Sequence, residues 1–135
     1  MKIILFILTL YMLFTQFKDI KTKFKTFKDK MKPAIDKLLE KDGNINEKTL
    51  IGIQFIMMIL LMVYAILVFN VVQIKIFQIV VCLCFMWDVY NIKLYIKLFK
   101  GEENKIMNSK LYSILSWILD TAFYIYIIYY IILNW

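Results

Sequence analysis

Two aspartates stand where the sequence is otherwise hydrocarbon. Asp88 interrupts the apolar run 76–98, and Asp120 interrupts the run 111–135. An ionised carboxylate at mid-bilayer costs at least ~2.5–3.5 kcal/mol on insertion scales, so such a group usually faces a bundle interior and carries a role. Each has polar company on its own helical face. Cys84, Asp88, Asn91 and Tyr95 follow i, i+4, i+7, i+11, and Ser113, Ser116, Asp120 and Tyr124 follow i, i+3, i+7, i+11. Counted from Lys97 and Lys110, the two carboxyls lie about 13 and about 15 Å deep along their helices. Antiparallel packing is therefore expected to bring them to nearly one level, in a polar seam with Lys93 as candidate counter-ion.

Three chemistries fit such a seam. The plainest is interhelical hydrogen bonding, with one or both carboxyls neutral. The second is a proton- or cation-responsive path through a transporter or pore. The third is an aspartyl dyad sharing a proton to activate water. The flanking sequences, WDVY and LDTA, lack the glycines that let a substrate backbone approach such a pair, which sets the dyad last. Without histidine the chain has no side chain whose ordinary pKa lies near neutrality. All seventeen basic residues are lysine, so no arginine fork is present to clamp phosphate. Cys82 and Cys84 point about 200° apart on a helix and cannot share a metal or a bridge. The stretch EKDGNIN resembles a calcium loop only in flavour: counted from Glu40, its sixth and twelfth positions are Ile45 and Ile51, where glycine and glutamate are needed. The expectation is no catalytic residue, no cofactor and no metal.

The elements that position the seam follow from composition. Of 135 residues 62% are hydrophobic, with a mean hydropathy of +0.70. A soluble domain of this size cannot hide that much apolar surface. An all-α integral membrane fold with four transmembrane helices is expected. The first, within 1–17, is short: fifteen residues rise only ~22 Å against ~30 Å of hydrocarbon. No small-residue cleavage site follows it, and seven lysines lie beyond it against Lys2 before it, so it reads as an uncleaved signal anchor. The other spans are expected at 49–72, 76–98 and 111–135, forming a three-helix bundle. The stretch FYIYIIYYIIL favours strand by propensity, but a lone strand is not viable in lipid, so helix is expected there too.

Lysine placement orients the chain. Ten lysines fall in 18–48 and four between Lys97 and Lys110, while the intervening link holds only Lys75. The positive-inside rule then puts both termini outside and the lysine-rich loops inside, in a bacterial cytoplasmic membrane or, as the alternative, an organellar inner membrane.

The segment 17–32 reads FKDIKTKFKTFKDKMK. Its apolar residues Phe17, Ile20, Phe24, Phe27, Met31, Ala34 and Leu38 recur at alternating gaps of three and four, a narrow seam on an amphipathic helix. Lys18, Lys21, Lys23, Lys25, Lys28, Lys30 and Lys32 form the opposite, basic face. Such a helix lies in the headgroup layer of an anionic leaflet, or pairs with another helix. Pro33 is expected to kink it or break it near Lys32. Asp42-Gly43 reads as its end, and Asn44 with Glu47 as a capping box for the next span. No nucleic-acid motif accompanies the lysines, so nucleic acid is not an expected partner.

Small residues are scarce, and no G-x-x-x-G occurs. Tight crossings and broken, ion-coordinating helices use them. The first expectation for function is therefore a non-enzymatic accessory, assembly or structural subunit, acting through contacts with lipid and with other membrane subunits or copies of itself. The alternative is an oligomeric pore, holin-like or a channel or transporter, lined by the aspartate seam. A membrane hydrolase comes third.

Overall fold

A computed structural model describes residues 1–18, 20–42 and 47–135, leaving out the side chains of 22, 23, 38–42 and 47. The described chain is helical, without strands. Helix α1 spans Lys2–Phe17, α2 Ile20–Lys23, α3 Phe27–Asp42, α4 Glu47–Val71, α5 Lys75–Phe99 and α6 Lys110–Leu133, with a 3-10 turn at Lys105–Asn108. Three helices are long and apolar enough to cross a membrane: Lys48–Val71, Lys75–Phe99 and Lys110–Leu133. Helix α1, at 16 residues, is shorter. The β-prone tyrosine-isoleucine run lies inside α6, because a helix satisfies every backbone group without a partner strand.

Local signals set the ends. Gly101, at φ 78°, takes the left-handed position after α5. Its N–H reaches Leu98 O and that of Glu102 reaches Lys97 O, both at 3.0 Å, which closes the helix as a Schellman motif. The Ser109 hydroxyl accepts from the Tyr112 N–H at 3.3 Å and caps α6. Between α2 and α3 the chain leaves the helix at Phe24–Thr26, and Thr26 Oγ1 accepts from the Asp29 N–H at 3.2 Å. The break thus falls here and not near Lys32; Pro33 lies inside α3. A threonine that can cap a new helix decides the position, whereas proline within a helix forfeits one bond without ending it. The expected turn at Asp42-Gly43 and the Asn44–Glu47 capping box lie outside the described residues, as do the side chains of Lys23 and Leu38.

The helices run alternately up and down. Helix α1 lies antiparallel along α6: Phe6 meets Trp135 edge-on at 6.0 Å, and the Trp117 indole N–H donates to Gln16 O at 3.0 Å. Helix α4 lies closely along α5, joined by the short link Val72–Ile74. Helices α5 and α6, although consecutive, stand further apart and meet through aromatic side chains, among them Phe77 stacked on Phe123 at 5.4 Å and Trp87 on Tyr112 at 5.1 Å. Bulky residues keep the backbones apart where small ones would let them approach.

Two apolar clusters close the two ends. At the end carrying the Val72–Ile74 link, Leu5, Val68, Val71, Val72, Phe77, Val81, Ile127 and Ile131 form one core. At the other end Phe27 of α3, Leu94 of α5 and Met107 of the 3-10 turn form the second. Burying Phe27 contributes roughly 1.5–3 kcal/mol and holds α3 across the bundle. Lys28 adds an ion pair to Glu103. The two lysine-rich segments therefore occupy the same end of the molecule.

Candidate functional site

Two bonds set the register of α5 against α6. The Trp87 indole N–H donates to Ser116 Oγ at 3.0 Å, and the Tyr112 hydroxyl donates to Asn91 Oδ1 at 2.5 Å. In this register Asp88 stands opposite Leu115, and Asp120 opposite Leu83. The carboxyl-bearing positions are thus offset by five residues, about 7 Å along the axis. The expectation of a common level is corrected. It took Lys97 and Lys110 as level, whereas α6 begins opposite Lys93, about one turn deeper. Asn91 and Ser116 do join α5 to α6, but through Tyr112 and Trp87, which the spacing argument missed. An indole N–H and a phenol hydroxyl near a polar helical face were the available signals, since both seek a partner when buried.

The aspartates border different cavities but remain within electrostatic reach of each other and of Tyr124. Asp88 borders a small cavity of about 20 Å³ with Tyr64 and Ala65 of α4 and Tyr124 of α6. Tyr124 packs edge-on to Tyr64 at 6.3 Å. Tyr64 in turn meets Thr9 of α1 through a 2.9 Å hydroxyl–hydroxyl bond. Asp120 lies between two cavities. One, of about 470 Å³, is an apolar groove between α5 and α6, bordered by Phe77, Leu83, Cys84, Trp87 and Phe123. The other, of about 150 Å³, is half polar, with Gln16, Lys30, Asn91, Ser113 and Ser116 beside Phe27, Met31, Tyr112 and Trp117. Ser113 is buried there, whereas Tyr95 packs against the Phe27–Leu94–Met107 cluster instead.

Lys93 is not part of this site. It borders a separate surface groove with Lys97, Lys100 and Glu102. Five residues along a helix rotate a side chain about 140° from Asp88, which turns Lys93 away. Among the described residues, Lys30 of α3 borders the same cavity as Asp120.

The basic face and apolar seam divide between uses. Lys18, Lys21, Lys25 and Lys32 are exposed, and Lys28 and Lys30 half-buried. Phe17, Ile20 and Phe24 remain exposed, with Phe17 and Phe24 beside the Trp117 ring at 6.0 and 5.7 Å. Phe27 is buried and Met31 packs beside it, so the chain's own helices receive this part of the seam. The Lys28 ammonium, hydrogen-bonded to Glu103, holds that exposed carboxyl below its ordinary range. Comparison with protein-family models, curated proteins and solved structures returned no match.

Proposed function

We propose that this chain is a non-enzymatic membrane protein that acts as an accessory or assembly subunit, through helix–helix and lipid contacts. One observation carries the reading. The half-polar cavity at Asp120 occupies only one end of the bundle, and the eight apolar side chains around Leu5 and Ile127 fill the other. Among the described residues a single chain shows no polar path from end to end, so in this reading conduction would require a path between protomers. The axial offset of Asp88 and Asp120 also argues against a shared proton, which needs carboxyls in direct hydrogen-bond contact.

In this reading α1 is a fourth, short span. It lies beside α6 from Trp117 to Trp135, and its Ile3, Ile4, Ile7, Tyr11 and Phe14 face outward as lipid-facing residues do. Both termini lie outside and the lysine-rich end inside, by the positive-inside rule. The exposed lysines of 18–32 rest on anionic headgroups while Phe27 anchors α3 to the bundle. Nucleic acid is not a partner in this reading.

The test is the mass of the particle extracted in mild detergent or in polymer-bounded lipid discs. A complex with other membrane polypeptides supports the reading. A large assembly of this chain alone overturns it in favour of a conducting oligomer.

A further inference from the structure

The groove that Lys93 borders holds about 380 Å³ and shares no residue with the cavities at the aspartates. Among the described residues its wall is Val89, Ile92, Lys93, Ile96, Lys97 and Lys100 of α5, with Glu102 just beyond the helix. The α5 positions follow i, i+3, i+4, i+7, i+8, i+11, so one helical face carries them all. Their chemistry is sorted along the axis, over a track of about 16 Å. Val89 and Ile92 lie furthest from the helix end, and the lysines become denser towards it. Lys93 stands six residues inside the last residue of α5, Phe99, which is about 9 Å of helix. An ammonium at that depth is costly in hydrocarbon, and its stem can carry it towards the headgroups, where phosphate is the anion at hand. Lys93 is exposed and Lys97 half-buried, and neither pairs with a carboxylate among the described residues. Lys100 is already engaged within the chain, which leaves Lys93 and Lys97 as the two ammonium groups open to a ligand.

We propose that this face of α5 is a discrete site for one anionic glycerophospholipid, with its phosphate at Lys93 and Lys97 and an acyl chain along Val89, Ile92 and Ile96. A charged end near the helix terminus and an aliphatic track running inward from it match an amphiphile lying parallel to the helix. A soluble anion would leave the track empty, and an acyl chain alone would leave the lysines unanswered. Net charge selects the headgroup, because two neighbouring ammonium groups favour a phosphate that no choline balances. The site is separate from the lysines of 18–32, which stand on other segments of the chain. It rests on the reading of α5 as a membrane span, and it serves an accessory subunit or an oligomeric pore alike.

The test uses the full chain in a non-ionic detergent, titrated with equal amounts of dioleoyl phosphatidylglycerol and dioleoyl phosphatidylcholine, with bound lipid read by native mass spectrometry. The expected result is one phosphatidylglycerol per chain ahead of any phosphatidylcholine. Lys93→Gln with Lys97→Gln should weaken that first adduct at least about tenfold, the effect of two lysines at their usual strength beside an anionic headgroup. Lys21→Gln with Lys25→Gln removes the same charge elsewhere and should leave the adduct unchanged. Ile92→Trp keeps both lysines and fills the track, so it should also weaken the adduct, and it stands in if the double glutamine variant loses helicity. Inorganic phosphate in excess should not displace the lipid. Equal retention of the two lipids, equal losses from the two lysine pairs, or displacement by inorganic phosphate overturns the proposal. So does a co-purifying membrane polypeptide that excludes phosphatidylglycerol from the unaltered chain, since the face would then be a protein contact. A particle containing this chain alone in many copies would overturn the accessory reading and leave the lipid site in place, so the two fail separately.

Discussion

Trp87 of α5 donates its indole N–H to the Ser116 hydroxyl of α6 across 3.0 Å, in the stretch of the two helices that carries Asp88 and Asp120. It fixes the register of two helices whose backbones do not approach closely. Asp120 borders the half-polar cavity that Lys30 also borders, and Asp88 the small cavity at Tyr64 and Tyr124.

The Trp87–Ser116 bond should be measurable as a coupling. In a cycle of Trp87→Phe, Ser116→Ala and the double variant, unfolding in mixed micelles should give an interaction energy of about 0.6 kcal/mol, the usual scale for interhelical hydrogen bonds in membranes. Strictly additive losses would show that the register rests on the aromatic stacking alone.

Thr9 and Tyr64 should respond unequally. The Thr9 hydroxyl also donates to Leu5 O at 2.7 Å, so Tyr64→Phe leaves it satisfied. Thr9→Val instead strips the half-buried Tyr64 hydroxyl of its partner. The second substitution should cost more, by about 1 kcal/mol, since an orphaned polar group loses more than a removed one. Equal costs in micelle unfolding would mean that Tyr64 has a second partner.

Acid should loosen α3. The Glu103 carboxyl is held below its ordinary range by Lys28, so its contribution is present above the unfolded-state pKa and is lost as pH falls through the lower folded-state value. Below about pH 4, amide hydrogen exchange in α3, corrected for intrinsic rates, should quicken relative to pH 6. Glu103→Gln should abolish the dependence and raise exchange at pH 6. A pH response that survives this substitution would place the titrating contact elsewhere.

Threading can be read by labelling. Lys28 pairs with Glu103, so the segments around positions 25 and 105 share one end of the molecule. In sealed vesicles on a C82A/C84A background, cysteines introduced singly at Lys25 and Lys105 should react with an impermeant thiol reagent from the same side. One introduced at Gln73 should react from the other. Reaction of positions 25 and 105 from opposite sides would contradict the packing of α3 on the 3-10 turn.

The sequence by itself determined the helices. Apolar runs bounded by lysines located α4, α5 and α6 to within two residues at each end, because in lipid only a helix satisfies the backbone along such a run. The polar character of Asn91, Ser116 and Asp120 was equally legible from helical spacing. Tertiary structure alone decided which groups meet. Spacing reports the face on which a residue lies, not its height against a neighbour, so the offset of Asp88 from Asp120 waited on the Trp87–Ser116 register. Nor could spacing within α5 show what else borders the cavity at Asp120: Lys93 turns away, while Lys30 reaches the cavity wall on a separate helix that Phe27 anchors across the bundle. A long-range encounter of that kind is set by packing, which one-dimensional periodicity does not encode.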